Sequence, residues 1–131
     1  MGFRRVVLGM DGSAHSRRAV AFLTRMKPPR SGRVTVVRVV EPVRVPAMPL
    51  VPAAMRAQIV GQADATNRSL VAAARRQVEA AAATLAQAGW RSRAVVRSGV
   101  PLAELLSAVR ADRADVLVLG ARGAGAVTHF L

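Results

Sequence analysis

Three glycines, Gly120, Gly123 and Gly125, follow directly on the apolar run Val116-Leu117-Val118-Leu119. A short run without polar alternation suits a strand buried on both faces. Glycines just beyond it let the backbone turn sharply and bring amide N–H groups close to a ligand. In open α/β sheets ligands bind beyond the carboxyl ends of the strands, where amide clusters and helix N-termini carry partial positive charge. The chemistry expected here is therefore recognition of a phosphate-bearing ligand; a tight strand-to-helix turn would use the same glycines. A second polar cluster, Gly9-Met10-Asp11-Gly12-Ser13, ends an apolar run near the N-terminus. The Asp11 carboxylate could accept hydrogen bonds from ribose hydroxyls or an adenine amino group, or could serve as a turn former. Ser13 or Ser16 offers a helix N-cap.

Other chemistries lack their residues. No Gly-x-x-x-x-Gly-Lys-Ser/Thr is present, and no Gly-x-Gly-x-x-Gly follows the first apolar run, which argues against a P-loop NTPase and a dinucleotide fold. His15 and His129 lie far apart, with no Cys, Asp or Glu at metal-ligand spacing, and read as helix-surface residues. The seven acidic residues are scattered, without an evident acid/base pair. Ser13 lacks a nucleophile-elbow context. No catalytic constellation is visible.

The elements that must hold these groups alternate. Arg4–Met10 reads as a first strand, and Ala14–Met26 as a helix with apolar Ala19, Val20, Phe22, Leu23 and Met26, stopped by Pro28-Pro29. Arg33–Val40 is a β-branched second strand, which completes a right-handed βαβ unit. Residues 41–52 carry four prolines and must be an extended segment, a surface connection or a lid. Residues 53–88 read as a long helix with Gly61 as a candidate bend and a buried face at Leu70, Ala73, Ala74, Gln77, Val78, Ala81 and Leu85. Trp90–Ser98 is a third strand near an edge. Pro101 opens a helix with an apolar stripe at Leu102, Leu105, Leu106 and Val109, and Val116–Leu119 is the fourth strand. Residues 124–131 resemble the opening of another helix.

A length of 131 residues fits one domain, and a hydrophobic fraction of 52% with aromatics at 3% implies a core of small side chains. The absence of cysteine excludes disulfides and thiolate metal sites. No apolar run approaches the roughly twenty residues of a membrane span, no signal peptide is evident, and a cytoplasmic setting is expected. The net charge of +13 favours anionic partners. Nucleic acid is disfavoured, because the arginines are dispersed and aromatics for base stacking are scarce.

In order and spacing, Val-Val-Leu-Gly-Met-Asp-Gly-Ser, Val-Thr-Val-Val-Arg-Val-Val-Glu-Pro, Val-Arg-Ser-Gly-Val-Pro-Leu-Ala-Glu-Leu-Leu and Ala-Asp-Val-Leu-Val-Leu-Gly-Ala-Arg-Gly resemble the universal stress protein family. The resemblance covers essentially the whole chain. It implies an α/β fold with a parallel, doubly wound sheet in the order 3-2-1-4-5, helices on both faces, and a homodimer formed through the fifth strand. It implies a stress-response module that binds ATP or a related adenine nucleotide, with Mg2+ accompanying ATP and at most slow hydrolysis. The family also contains members that act as protein-interaction modules without nucleotide. ATP-binding members carry Gly-x-x-Gly, nine residues, then Gly-Ser/Thr. Gly120 and Gly123 match the first half, with Gly125 in the same loop. Asp11 matches the acidic residue near ribose and adenine, Val39 the second-strand position whose backbone meets adenine, and Gly9 lines the pocket. The Gly-Ser/Thr half falls beyond Leu131, so the domain is expected to be C-terminally incomplete, without the last helix and fifth strand.

Overall fold

The computed structural model describes residues 4–11, 14–120 and 127–129. Five strands form one sheet: β1 (Arg5–Met10), β2 (Arg33–Val40), β3 (Arg91–Ser98), β4 (Val116–Gly120) and β5 (Val127–His129), in the order β3-β2-β1-β4-β5. β1 to β4 run parallel, with Arg5 opposite Arg33 and Val6 opposite Val116. Among the described residues three helices, α1 (Ala14–Arg25), α2 (Ala53–Gln87) and α3 (Pro101–Asp112), connect β1 to β4.

The unbroken Val/Leu runs of β1, β2 and β4 follow from burial on both faces. On one face Val6, Leu8, Val34, Val36 and Val116 pack against Leu23 of α1 and Val78 and Leu85 of α2. On the other, Val7, Val37, Val39 and Leu117 pack against Ala108 and Val109 of α3. Each fully buried Leu or Val contributes about 1.5–3 kcal/mol relative to exposure. Trp90 precedes β3 rather than opening it and belongs to the first of these clusters, and its buried indole N–H donates to the Leu23 carbonyl at 3.1 Å. The one tryptophan thus ties the end of α1 to the start of β3.

Several helix positions differ from expectation, and for one reason: periodicity gives the direction of an apolar stripe but not the extent of the surface beneath it. Phe22 is 41% exposed, Leu70 39% and Leu102 63%: Leu70 and Leu102 precede the first buried residues of α2 and α3, and Phe22 lies at the margin of the α1 stripe, beside the buried Ala19 and Leu23. α2 is unbroken through Gly61, where an added Cβ would meet no atom within 4 Å. At a rise of 1.5 Å per residue its length is about 50 Å, roughly twice that of an eight-residue strand. Its buried residues begin only at Ala74. Residues 41–52 form neither helix nor strand, but they are anchored: the Asn67 side chain accepts from the Val43 N–H at 2.7 Å and donates to the Val43 carbonyl at 3.0 Å.

Residues 127–129 are strand, not helix. β5 pairs antiparallel with β4, Val118 opposite Val127 and Val116 opposite His129. An antiparallel neighbour needs only a short reversal, whereas a parallel one needs a crossover of a dozen residues or more, and an apolar edge such as β4 draws nearby β-branched chain onto it. The closing helix and parallel fifth strand that the resemblance implies are not among the described residues.

Candidate functional site

The parallel register assembles the carboxyl edge of the sheet. Met10, the last residue of β1, lies opposite Arg38 of β2 and Gly120 of β4. Asp11 and Val39 are each one residue further along, so the two ends stand side by side at the strand spacing of about 4.8 Å. On the outer side of β2 the Val40 carbonyl accepts the Gly99 N–H at 3.0 Å. Backbone groups alternate sides along a strand, so Val39 turns its carbonyl the other way, towards β1 and past its end.

One side chain locks this edge. Ser16, in the first turn of α1, is fully buried. Its Oγ accepts the Asp11 N–H at 2.8 Å, and its single proton is directed at Asp11 Oδ1 (2.7 Å) and at the Gly120 carbonyl (2.9 Å). It is not an N-cap, because α1 begins at Ala14 and Ser16 lies inside the helix. The hydroxyl instead joins the end of β1, the start of α1 and the end of β4, and it holds the exposed Asp11 carboxylate in place.

Gly120 is glycine for a reason the sequence did not reveal. An added Cβ would overlap Ser16 Cα and lie 2.7 Å from the His15 carbonyl oxygen and 2.8 Å from the Ser16 nitrogen. These are backbone atoms of α1, so the absent side chain lets the helix N-terminus close on the end of β4. Gly9 is different: a Cβ there would meet the tips of Leu105 and Leu119 at 3.0 Å, both flexible side chains on the α3 side. α1 has no acidic residue in its first turn, and the carboxylate that stands beside the partial positive charge of its N-terminus is that of Asp11, bonded to Ser16. Arg17 follows in that turn and borders, with Met10, Val20, Gln77 and Thr84, a hollow of about 380 Å³ between α1 and α2.

Of the residues singled out from sequence, Gly9, Asp11, Val39 and Gly120 therefore meet at one edge. Gly123 and Gly125 lie outside the described residues, as does Ser13. Ser16 was legible only as a cap, since a small polar residue in a first helical turn usually is one.

Residues 2–131 match the model of the Universal stress protein family. The chain belongs to that family. A curated relative from Thermus aquaticus, a universal stress protein in the 3′ region of a QAH/OAS sulfhydrylase, is 30% identical over 128 residues, covering 95% of this chain and 82% of the relative. Among solved structures, the chain is similar to a hypothetical protein that was the subject of a structure-based assignment of biochemical function, with TM-score 0.71, 13% identity, and 89% of this chain and 73% of that one covered. It is also similar to a universal stress protein crystallised in complex with cAMP, at TM-score 0.50 and 19% identity over 89% of this chain and 71% of that one. At these identities the structural likeness establishes the shared fold. Among the described residues, no helix is long and apolar enough to cross a membrane.

Proposed function

We propose that this universal stress protein binds ATP or a related adenine nucleotide at the carboxyl edge of β1, β2 and β4, as a regulatory module of the stress response. The observation that carries the reading is that the Asp11 carboxylate stands beside the N-terminus of α1, both held by Ser16 against Gly120. The residues fit an adenine nucleotide. Asp11 would accept from ribose hydroxyls and the Val39 carbonyl from the adenine amino group, while Gly9, whose open side meets Leu105 and Leu119, would line the floor of the pocket through its backbone. The α1 N-terminus with the loop of Gly120, Gly123 and Gly125 would face the phosphates through backbone N–H groups. The cAMP complex of a relative supports an adenine nucleotide as the ligand class. Mg2+ enters only as the companion of a triphosphate. The same reading keeps the single-domain organisation and cytoplasmic setting inferred from sequence, and the homodimer that the resemblance implies.

The test is calorimetric titration with ATP and with cAMP, repeated on Asp11→Asn. Asparagine retains an acceptor for the Ser16 hydroxyl but loses the charge and half of the acceptor capacity, so the fold should persist. Two hydrogen bonds to an ionised acceptor are at stake, each about 1.5–3 kcal/mol, and affinity should fall at least about tenfold. Absence of nucleotide binding in the parent, or equal affinity in the variant, would refute the proposal; the first result would favour the interaction-module reading.

A further inference from the structure

The opposite end of the sheet carries a second cluster that nucleotide recognition at the carboxyl edge does not use. β1, β2 and β3 each begin with arginine, and the register sets Arg5 opposite Arg33 and Arg33 opposite Arg91. Residues in register on parallel strands share a face. At a strand spacing of about 4.8 Å the three side chains leave the sheet in a row about 10 Å long. Their parity is that of Val7 and Val37, which face α3. Arg93 stands two residues further along β3, and the last turn of α3 brings Asp112 and Arg113 over the row. Together these residues line a cleft of about 390 Å³, within the size range of small-molecule sites.

The cleft holds five arginines against a single aspartate. Asp112 neutralises only Arg93, with Oδ1 accepting from Nη2 at 2.9 Å. The other ion pairs among the described residues, Arg75–Glu79 and Arg97–Glu104, involve none of Arg5, Arg33, Arg91 or Arg113. Asp115, which adjoins the cluster in sequence, is turned to the backbone: its Oδ2 accepts the Arg4 and Arg5 N–H groups at 2.9 and 3.0 Å. Guanidinium groups crowded in this way repel one another, and the fold makes no evident use of them, because all four are exposed. A planar fork of donors matches phosphate oxygens in paired hydrogen bonds. A second observation narrows the ligand. Asp112 Oδ2 is buried with no hydrogen-bond partner, an arrangement that is costly unless a donor arrives. Inorganic phosphate or pyrophosphate near neutral pH satisfies the arginines and brings only its residual P–OH protons to that oxygen; a phosphate ester on a hydroxylated carrier adds alcohol donors for it.

We infer that the cleft formed by Arg5, Arg33, Arg91, Arg93 and Arg113 with Asp112 is a binding site for a small hydroxylated ligand carrying two phosphate groups, separate from the edge that bears Asp11. The arginines take the phosphates, and Asp112 takes a hydroxyl or amino proton while holding Arg93 in position.

Calorimetric titration at about 0.15 M salt, where exposed charges are largely screened beyond about 8 Å, tests this with fructose 1,6-bisphosphate and inorganic pyrophosphate as probes. The parent protein should bind both, the bisphosphate more tightly. Arg33→Ser/Arg91→Ser should weaken both at least about tenfold, with a thermal midpoint equal to or above that of the parent, since exposed and unpaired charges are removed. Asp112→Asn should weaken the bisphosphate more than pyrophosphate. Asp11→Asn should change neither, which separates failure here from failure of the nucleotide proposal. Absence of binding at millimolar probe, or binding unaltered in the double arginine variant, would overturn the inference. So would a finding that the double variant impairs only single-stranded DNA binding, because the cluster would then be part of a general polyanion surface.

Discussion

Gly120→Ala is the most direct challenge to the account of the carboxyl edge, because the structure fixes both the sign and the scale of its effect. The new Cβ would lie 2.7 Å from the His15 carbonyl oxygen, whereas ordinary van der Waals contact begins at 3.4 Å. Backbone atoms of a helix cannot rotate aside, so the first turn of α1 must retreat by about 1 Å to clear Ser16 Cα as well, and a shift of that size carries the 2.9 Å bond from Ser16 Oγ to the Gly120 carbonyl out of hydrogen-bond range. Overpacking of this kind costs about 1–3 kcal/mol, and an unmade bond at a buried carbonyl adds about 1–3 kcal/mol. A total near 3 kcal/mol corresponds to a fall in thermal midpoint of about 10 °C for a chain of this size. The control is the same substitution at Gly61, where an added Cβ meets nothing within 4 Å. There the helical preference of alanine should raise stability by about 0.5–1 kcal/mol. Thermal unfolding followed by circular dichroism reads both. A Gly120→Ala protein that melts within a degree of the parent would show that α1 does not close on β4 as described.

Two further substitutions address the framework. Trp90→Phe removes the stronger of two donors to the Leu23 carbonyl, leaving the Met26 N–H at 3.3 Å, and opens space in the larger core cluster; equilibrium denaturation should register a loss of about 1–2 kcal/mol, and a loss under 0.5 kcal/mol would contradict the bridging role assigned to the indole. Asn67→Ala removes both bonds that pin Val43. Hydrogen exchange at Val43 should accelerate about tenfold while global stability changes by less than about 1 kcal/mol, and unchanged exchange would mean that the segment is held by other contacts.

What the sequence disclosed, and what it withheld, divides along physical lines. The strands were legible because Val and Leu runs buried on two faces have few alternatives, and β2 matches its expected bounds of Arg33–Val40. The proximity of Asp11 to Gly120 followed from the order of the strands, which the family resemblance supplied. Ser16 was not recoverable from pattern alone, since its role depends on a carbonyl 104 positions away. The steric requirement at Gly120 has the same origin: a glycine after a buried strand signals a close approach without naming what approaches. The exposure of Phe22, Leu70 and Leu102 and the strand at residues 127–129 depend on where neighbouring surfaces end, information that local periodicity does not hold. The row formed by Arg5, Arg33 and Arg91 was equally hidden, because dispersed arginines align only once parallel strands are laid in register.

The length of α2 has a consequence for how its parts depend on one another. From Ala74 to Leu85 the helix is fastened to the sheet; residues 53–73 contain no buried side chain. A stretch of some twenty residues in water is a marginal helix by itself, because starting the first turn is far harder than adding to an existing one. The fastened segment acts as a permanent seed, and the span beyond it, held besides by the Asn67 bonds to Val43, winds outward from it one residue at a time. Order in the span is therefore borrowed: it frays from Ala53 inward, and whatever loosens Val78 or Leu85 unwinds residues tens of ångströms away that touch neither.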